Sequence, residues 1–226
     1  FNETVKQIAK CSSKIIFCGV GKSGLIASKI AATMSSIGAP SFSLSASDSS
    51  HGDLGSISKK DLLILISNSG KSQELLPIIK FANRNKIKLI GIVSRKDSSL
   101  YRGADIRILL PEVKEAGLDI VPTSSTSVQL AIGDALAIAA LNKKKFSKYN
   151  YSKLHPAGEI GKQLKTVEEL MVTKKKIPFI NENKNIINAI KIITSKKLGV
   201  LIAKNSSGLT SGILTDGDIR KLRMKN

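Results

Sequence analysis

The stretch DLLILISNSGKSQE, residues 61–74, shows how this chain is built, because it joins an apolar run to a helical pattern through a polar turn. The run from Leu62 to Ile66 is uninterrupted, which is typical of a strand in a parallel sheet covered on both faces. Three serines, an asparagine and a glycine follow, and then apolar residues recur at three and four positions. Strand, turn and helix in this order predict one unit of an α/β protein.

The same alternation continues on both sides of this stretch. Short apolar or β-branched runs lie at 14–19, 41–45, 61–67, 87–94 and 105–110. Segments with helical spacing lie at 22–38, 72–85 and 127–142. Strands that alternate with helices predict a doubly wound parallel five-stranded sheet with helices on both faces, which places the chain in the α/β class.

A composition change near residue 165 predicts two domains. The polar stretch after the helix at 127–142 ends in a Pro-Gly turn, and a new pattern of helix, two short strands and helix follows. We therefore expect a main domain over 1–165 and a small C-terminal α+β unit over 166–226. The chain opens at Phe1 without a signal-like segment, and we interpret it as a fragment.

The composition limits the possible partners. A formal charge of +19 would suit nucleic acid, but only six of the 36 basic residues are Arg and nine aromatic residues are available for stacking. We therefore expect no nucleic-acid partner. We also expect no membrane partner, because no run of about 18 apolar residues is evident. Two cysteines, Cys11 and the apolar-flanked Cys18, suit a reducing cytoplasm.

Three predicted strand-to-helix junctions carry residues suited to an anion: 18–24, 67–74 and 122–127. In open parallel sheets, ligands bind outside the carboxyl ends of the strands, where helix N-termini offer free N–H groups. Ser67, Ser69 and Ser72 surround Gly70, and a second hydroxyl cluster recurs at 124–126. A phosphate is the group that this pattern favours, although helix capping and a solvated turn explain part of it.

Other interpretations of these motifs stay open. Gly19, Gly21 and Gly24 have the G-x-G-x-x-G spacing of a dinucleotide site, but Asp48 is poorly placed to contact a ribose. The same glycines also suit a tight turn with close helix packing and no ligand. Glu74 is either a functional carboxylate or an acid favoured by the helix dipole. His51 and His155, the only histidines, each lie in a turn with glycine and are either structural or functional.

Together these motifs resemble the sugar isomerase domain family, and within it the arabinose-5-phosphate isomerases. The matching stretches are GVGKSG at 19–24, GAPSFSLSASDSSHGDLG at 38–55, ISNSGKSQE at 66–74, KEA at 114–116, PTSSTS at 122–127 with GDALA at 133–137, and LHPAGEIGK at 154–162. Residues 166–226 are similar to one half of the regulatory domain pair named after cystathionine beta-synthase, with GILTDGDIR at 212–220.

The resemblance implies an aldose-ketose isomerase that interconverts ribulose 5-phosphate and arabinose 5-phosphate through a cis-enediol, for the lipopolysaccharide sugar Kdo. It implies a cytoplasmic homotetramer with shared active sites, and neither metal nor cofactor. The implied catalytic residues are Lys22, Glu74, Glu115 and His155. The implied substrate-binding residues are Ser23, Gly38, Ala39, His51, Ser67, Asn68, Ser69, Ser72, Thr123, Ser124, Ser125 and Thr126.

Two departures from the family pattern affect these expectations. Ser45 and Asp48 stand where relatives have a histidine and another acid, which argues against a zinc site. The segment after KEA is shortened to GLDI, residues 117–120. The alternative function is a non-catalytic sugar-phosphate sensor of a transcription regulator. Such regulators carry a helix-turn-helix before the sheet, whereas thirteen residues precede the first predicted strand here.

Overall fold

The computed structural model describes residues 1–155 and 165–223. The chain divides into two units, Phe1–Leu164 and Lys165–Asn226, and each is described separately below.

The first unit is organised around a five-stranded, fully parallel sheet, which confirms the predicted α/β class. The strand order is β2-β1-β3-β4-β5. Each predicted apolar run became a strand, with bounds that differ by one residue or less. The strands are β1 (Ile15–Gly19), β2 (Ser41–Ser45), β3 (Leu62–Ser67), β4 (Lys88–Val93) and β5 (Ile106–Leu109).

Helices cover both faces of this sheet. They are α1 (Asn2–Lys10), α2 (Lys22–Ser36), α3 (Leu75–Arg84), α4 (Ser99–Gly103), α5 (Ser124–Lys143) and α6 (Lys148–Leu154). Leu62, Ile64 and Ile66 of β3 join one buried cluster with α1, α2 and α5. Leu63 and Leu65 join a second cluster with α3 and α4. The alternation of side chains along a strand thus gives the sheet two cores, as the uninterrupted apolar run predicted.

Helix α5 corrects one part of the sequence analysis. It is long and apolar enough to cross a membrane, with a mean hydropathy of 1.3 over 18 residues, although no such run was expected. In this fold Leu136, Ala137 and Ala140 are buried in the core that α5 shares with α1 and α2. Asp134 of α5 forms an ion pair with Lys29 of α2. These contacts are those of a core helix.

Cys18 lies fully buried in β1. Burial raises the pKa of its thiol to about 12, so the group stays protonated and unreactive. This confirms that Cys18 acts as a small apolar core residue.

The second unit is a small α+β arrangement, as predicted. Its elements are α7 (Val167–Leu170), β6 (Phe179–Asn181), α8 (Ile186–Lys196), β7 (Val200–Lys204), β8 (Thr210–Thr215) and α9 (Asp216–Arg223). The sheet order is β6-β7-β8, with β6 parallel and β8 antiparallel to β7. Strand β6 was not predicted, because three residues are too few to show an alternating pattern. Ala189, Ile193 and Leu201 form the buried centre.

Candidate active site

The strand order places a ligand crevice between β1 and β3. The chain leaves β1 toward β2 on one side and returns to β3 on the other side of β1. A crevice opens at such a reversal, outside the carboxyl ends of the two strands. Two of the three predicted junctions, 18–24 and 67–74, begin at these strand ends.

The glycines of the β1–α2 junction serve mainly close packing. A Cβ on Gly19 would lie 2.8 Å from the backbone carbon of Ser23, and one on Gly24 would lie 2.9 Å from the Gly19 carbonyl oxygen. Gly21 has φ +58° and open space around it, which fits the turn into α2. Lys22 then begins α2 and is exposed, and Ser23 is half-buried beside it. The packing interpretation therefore accounts for Gly19 and Gly24.

The β3–α3 junction is a tight loop with hydroxyls on its inside. The Gly70 N–H donates to Ser67 Oγ at 3.0 Å, and the Ser67 and Ser72 hydroxyl oxygens lie 3.3 Å apart. The Lys71 N–H donates to Ser69 Oγ at 3.3 Å. Gly70 has φ +63°, and a Cβ there would overlap Ser98 Oγ and lie 2.5 Å from Val93 Cγ2. Only glycine fits this position, both in conformation and in space.

The backbone just before α3 has N–H groups that lack a hydrogen-bond acceptor in the described structure. Within the described residues, the N–H groups of Ser72, Gln73 and Glu74 donate no hydrogen bond. Free amides ahead of a helix are a favourable environment for an anion. Glu74 precedes α3, which begins three residues after the start of the predicted segment 72–85, and its exposed side chain makes no capping hydrogen bond. The Asn68 side chain contacts the next strand end, because its Oδ1 accepts a hydrogen bond from Ser94 Oγ at 2.6 Å.

The third junction is different because a carboxylate already occupies it. Ser124, Ser125 and Thr126 were expected in a loop, but they form the first turn of α5. Glu115 Oε2 accepts hydrogen bonds from the Thr123 N–H at 2.9 Å and the Ser125 N–H at 3.1 Å. The Ser125 hydroxyl and these N–H groups lower the pKa of Glu115 to about 2. Glu115 therefore remains ionised on the helix N-terminus.

The hydroxyls of this turn are partly committed. Thr126 Oγ1 donates to the Thr123 carbonyl at 2.8 Å, and Thr123 Oγ1 accepts from the Ala116 N–H at 2.9 Å. Ser124 Oγ has no hydrogen-bond partner in the part of the chain that the structure describes. The Thr123 N–H, the Thr123 hydroxyl and the Ser125 N–H all donate to Glu115 Oε2, so Oε1 keeps acceptor capacity for a further donor besides the Ser125 hydroxyl. These two oxygens are the available ones at the third junction.

Gly38 and Ala39 are not brought to this crevice. They precede β2, whose first residue Ser41 is paired with Ile15, so they lie at the amino edge of the sheet. Gly38 is covered by the Phe146 ring and its carbonyl accepts from Lys144 Nζ at 2.7 Å. Within one chain, the parallel topology separates them from the carboxyl-edge residues. Their role in substrate binding stays a prediction, which this position in one chain does not by itself explain.

The two histidines belong to segments outside the three junctions. His51 is exposed and ends a 3₁₀ helix, Asp48–His51, before Gly52 with φ +117°. His155 follows α6, where its Nδ1 lies 2.9 Å from the Tyr151 carbonyl oxygen and its ring stacks on Tyr151 at 4.0 Å. Helix α6 has no buried residue. The rest of the motif that contains His155, at 156–162, lies outside the described residues.

Sequence reasoning missed two residues that shape these loops. Ser98 caps α4 by accepting from the Tyr101 N–H, and it packs against Gly70. Asp119 accepts from the Glu115 N–H at 2.7 Å. A serine before a helix is a recognisable cap signal, but no local pattern links Asp119 to Glu115. Among residues 1–155 and 165–223, no group of three His, Cys, Asp or Glu is arranged to hold a metal.

A parallel α/β sheet with hydroxyls and free helix amides at its carboxyl edge is an arrangement suited to small phosphorylated molecules. The SIS domain family profile matches residues 7–139, and the CBS domain profile matches 167–225. The chain belongs to the SIS domain family and is a phosphosugar isomerase. The resemblance stated from the motifs is thereby confirmed.

Named relatives support this assignment. Arabinose 5-phosphate isomerase KdsD of Escherichia coli strain K12 is 38% identical over 224 residues, which cover 98% of this chain and 68% of that protein. KdsD of Yersinia pestis is also 38% identical with the same coverage. A solved structure, that of the c3406 protein of E. coli CFT073 with a bound sugar phosphate, has a TM-score of 0.67 and 39% identity, and the match covers 69% of this chain and 84% of that one.

Proposed function

We propose that this enzyme interconverts D-ribulose 5-phosphate and D-arabinose 5-phosphate. The observation that carries the proposal is the β3–α3 junction, where three serine hydroxyls and three free amides lie directly before the exposed carboxylate of Glu74. A phosphate bound there would bring the attached sugar beside an acid-base group. The KdsD relatives, similar over 98% of this chain, favour this substrate pair.

The phosphate is assigned to the β3–α3 junction, with Ser67, Ser69 and Ser72 around it. The sequence analysis also placed it on Ser124, Ser125 and Thr126, but the ionised Glu115 on that helix end would repel it. We assign the α5 end to the sugar instead, with Ser124 Oγ and Glu115 Oε1 meeting its hydroxyls. Thr123 is the N-cap of α5 beside this position, we assign Ser23 of α2 to the same substrate, and Asn68 shapes the β3–α3 loop through Ser94.

The reaction needs one group to remove the proton from carbon and another to move protons between the two oxygens of a cis-enediol. We assign these steps to Glu74 and His155. Lys22, a cation at the start of α2, would stabilise negative charge that develops on the enediol oxygens. Glu115, ionised at neutral pH, would accept a hydrogen bond rather than exchange a proton. No step in this scheme requires a metal or a cofactor.

We further propose a homotetramer in the cytoplasm in which His155 serves a neighbouring subunit's site. The absence of buried residues on α6, within the described chain, supports this, because the helix that ends at His155 is not packed into its own core. Gly38 and Ala39 lie at the amino edge, so we also assign their substrate contacts to a neighbouring subunit's site, whereas His51 follows the carboxyl end of β2. The two free cysteines suit a reducing compartment. The arabinose 5-phosphate that the enzyme makes would be the precursor of Kdo.

Proton NMR of ribulose 5-phosphate incubated with the protein tests the reaction. We expect the aldose signals of arabinose 5-phosphate to appear, in buffer containing EDTA and without nucleotide. Tight binding of the sugar phosphate by folded protein without any aldose signal would instead indicate a sensor. Activity that EDTA abolishes and a divalent metal restores would contradict the metal-free scheme.

A further inference from the structure

The segment from Glu115 to Thr123 is a loop closed by its own hydrogen bonds. The Glu115 N–H donates to Asp119 Oδ1 at 2.7 Å. The Ala116 N–H donates to Thr123 Oγ1 at 2.9 Å, and the Thr123 N–H donates back to Glu115 Oε2 at 2.9 Å. The backbone of Glu115 and its carboxylate are therefore both held, by different residues.

The tip of this loop has an unusual backbone. Gly117, Leu118 and Asp119 have successive φ values of +67°, +59° and +57°. Residues other than glycine rarely adopt this left-handed backbone conformation, although Asp tolerates it better than most. Leu118 is 91% exposed, so packing does not compensate for its conformation. The bond from the Glu115 N–H to Asp119 is the contact that closes this turn.

We propose that Asp119 is a positioning residue, which holds Glu115 so that Oε2 stays on the first turn of α5 and Oε1 stays available to a sugar hydroxyl. The assignment rests on the proposed function of Glu115. Asp119 itself acts only through the Glu115 backbone. Asp119 belongs to GLDI, residues 117–120, the short segment that follows KEA.

The variant that tests this is Asp119→Gly, because glycine keeps the left-handed conformation and removes only the carboxylate. Asp119→Asn retains an oxygen acceptor and should restore the bond. Asp105→Ala is a matched control, since Asp105 Oδ2 also accepts a backbone N–H, that of Leu89 at 2.8 Å, but lies before β5 at the amino edge.

The first measurement is a ¹³C NMR titration of the Glu115 carboxyl, assigned with Glu115→Gln. Bound to the helix, this carboxyl has a pKa of about 2, well below its usual 4.5. In Asp119→Gly we expect its pKa to rise toward the usual value, whereas Asp119→Asn and Asp105→Ala leave it low. An unchanged Glu115 titration in folded Asp119→Gly would overturn the proposal. This readout does not depend on whether the protein is an isomerase.

The second measurement is steady-state kinetics. A misplaced contact group should lower kcat by about 10- to 100-fold in Asp119→Gly, with a smaller effect on KM. Asp119→Asn should retain kcat. A raised Glu115 pKa with unchanged kcat would support the positioning by Asp119 but remove Glu115 from the proposed reaction. No activity in the wild-type protein would contradict the proposed function alone, and the NMR result would still decide the positioning.

Discussion

The β3–α3 and β5–α5 junctions look alike in sequence, but only one of them is open to an external anion. Both place serine and threonine hydroxyls at the start of a helix near the carboxyl edge of the sheet. Before α3, the amides of Ser72, Gln73 and Glu74 donate to no described group. Before α5, Thr123 and Ser125 already donate to Glu115.

This difference shows that a hydroxyl-rich helix start does not by itself indicate a phosphate site. The N-terminal amides of a helix favour any anion, including a carboxylate of the same chain. At the β3–α3 junction the nearby acid, Glu74, is exposed and makes no capping hydrogen bond. At the β5–α5 junction, Glu115 reaches across a short loop to the first turn of α5. The internal carboxylate occupies the start of α5, and the start of α3 is the end that we propose for the phosphate.

Replacing the acid at the open junction should have the largest effect. If Glu74 and His155 both transfer protons, Glu74→Gln and His155→Ala should each lower kcat by about 10²- to 10⁴-fold. If the two residues belong to different subunits, mixing the inactive variants should rebuild some sites in which both are native. The measurement is isomerase activity after subunit exchange, compared with each variant treated alone.

Exchange itself is verified by native mass spectrometry of differently labelled chains. Recovered activity supports a shared site. Mixed oligomers without activity would place both residues in one chain or remove His155 from the reaction.

Alanine substitution should lower the unfolding free energy more at Gly70 than at Gly117. In Gly70→Ala, the left-handed backbone costs about 1–2 kcal/mol and the overlap with Ser98 and Val93 adds about 1–3 kcal/mol to the loss of unfolding free energy. In Gly117→Ala only the backbone term of about 1–2 kcal/mol applies, because the new Cβ would meet nothing closer than Val121 Cγ2 at 3.8 Å. Urea-induced unfolding measures both losses. Equal losses would show that the Gly70 loop relaxes easily and is not a rigid phosphate site.

The smallest expected effects are on substrate affinity, and they distinguish the Ser69 hydroxyl from the Ser124 hydroxyl. Ser69→Ala should weaken the binding of arabinose 5-phosphate by about 10- to 100-fold, the value of one hydrogen bond to a charged group. Ser124→Ala should change it less, since a sugar hydroxyl is a neutral partner and such a bond contributes only about 0.5–1.5 kcal/mol. Isothermal titration calorimetry gives both affinities. An equal or larger loss in Ser124→Ala would place the phosphate on both helix ends, as the sequence pattern alone suggested.

Much of the fold was predictable because its signals are local. The five strands follow from apolar runs, and the three helices α2, α3 and α5 follow from longer segments rich in apolar residues. Helix α1 and strand β6 were missed, since a short amphipathic segment and a three-residue strand give weak patterns. Of the candidate site, the β3–α3 loop was found from sequence, whereas the capping role of Glu115 was not. Gly38 and Ala39 were placed with the substrate only by resemblance.

The sequence alone established the α/β class, the order of strands and helices, and which residue types could hold a phosphate, because each depends on neighbours within about one turn or one strand. The tertiary structure established which of those residues share an edge of the sheet. Gly38 and Ala39 fall at the amino edge because β2 runs parallel to β1. Glu115 meets the start of α5 because the loop that Asp119 closes folds back on itself. Such placements depend on chain topology and on hydrogen bonds within irregular loops, which no periodic sequence pattern encodes.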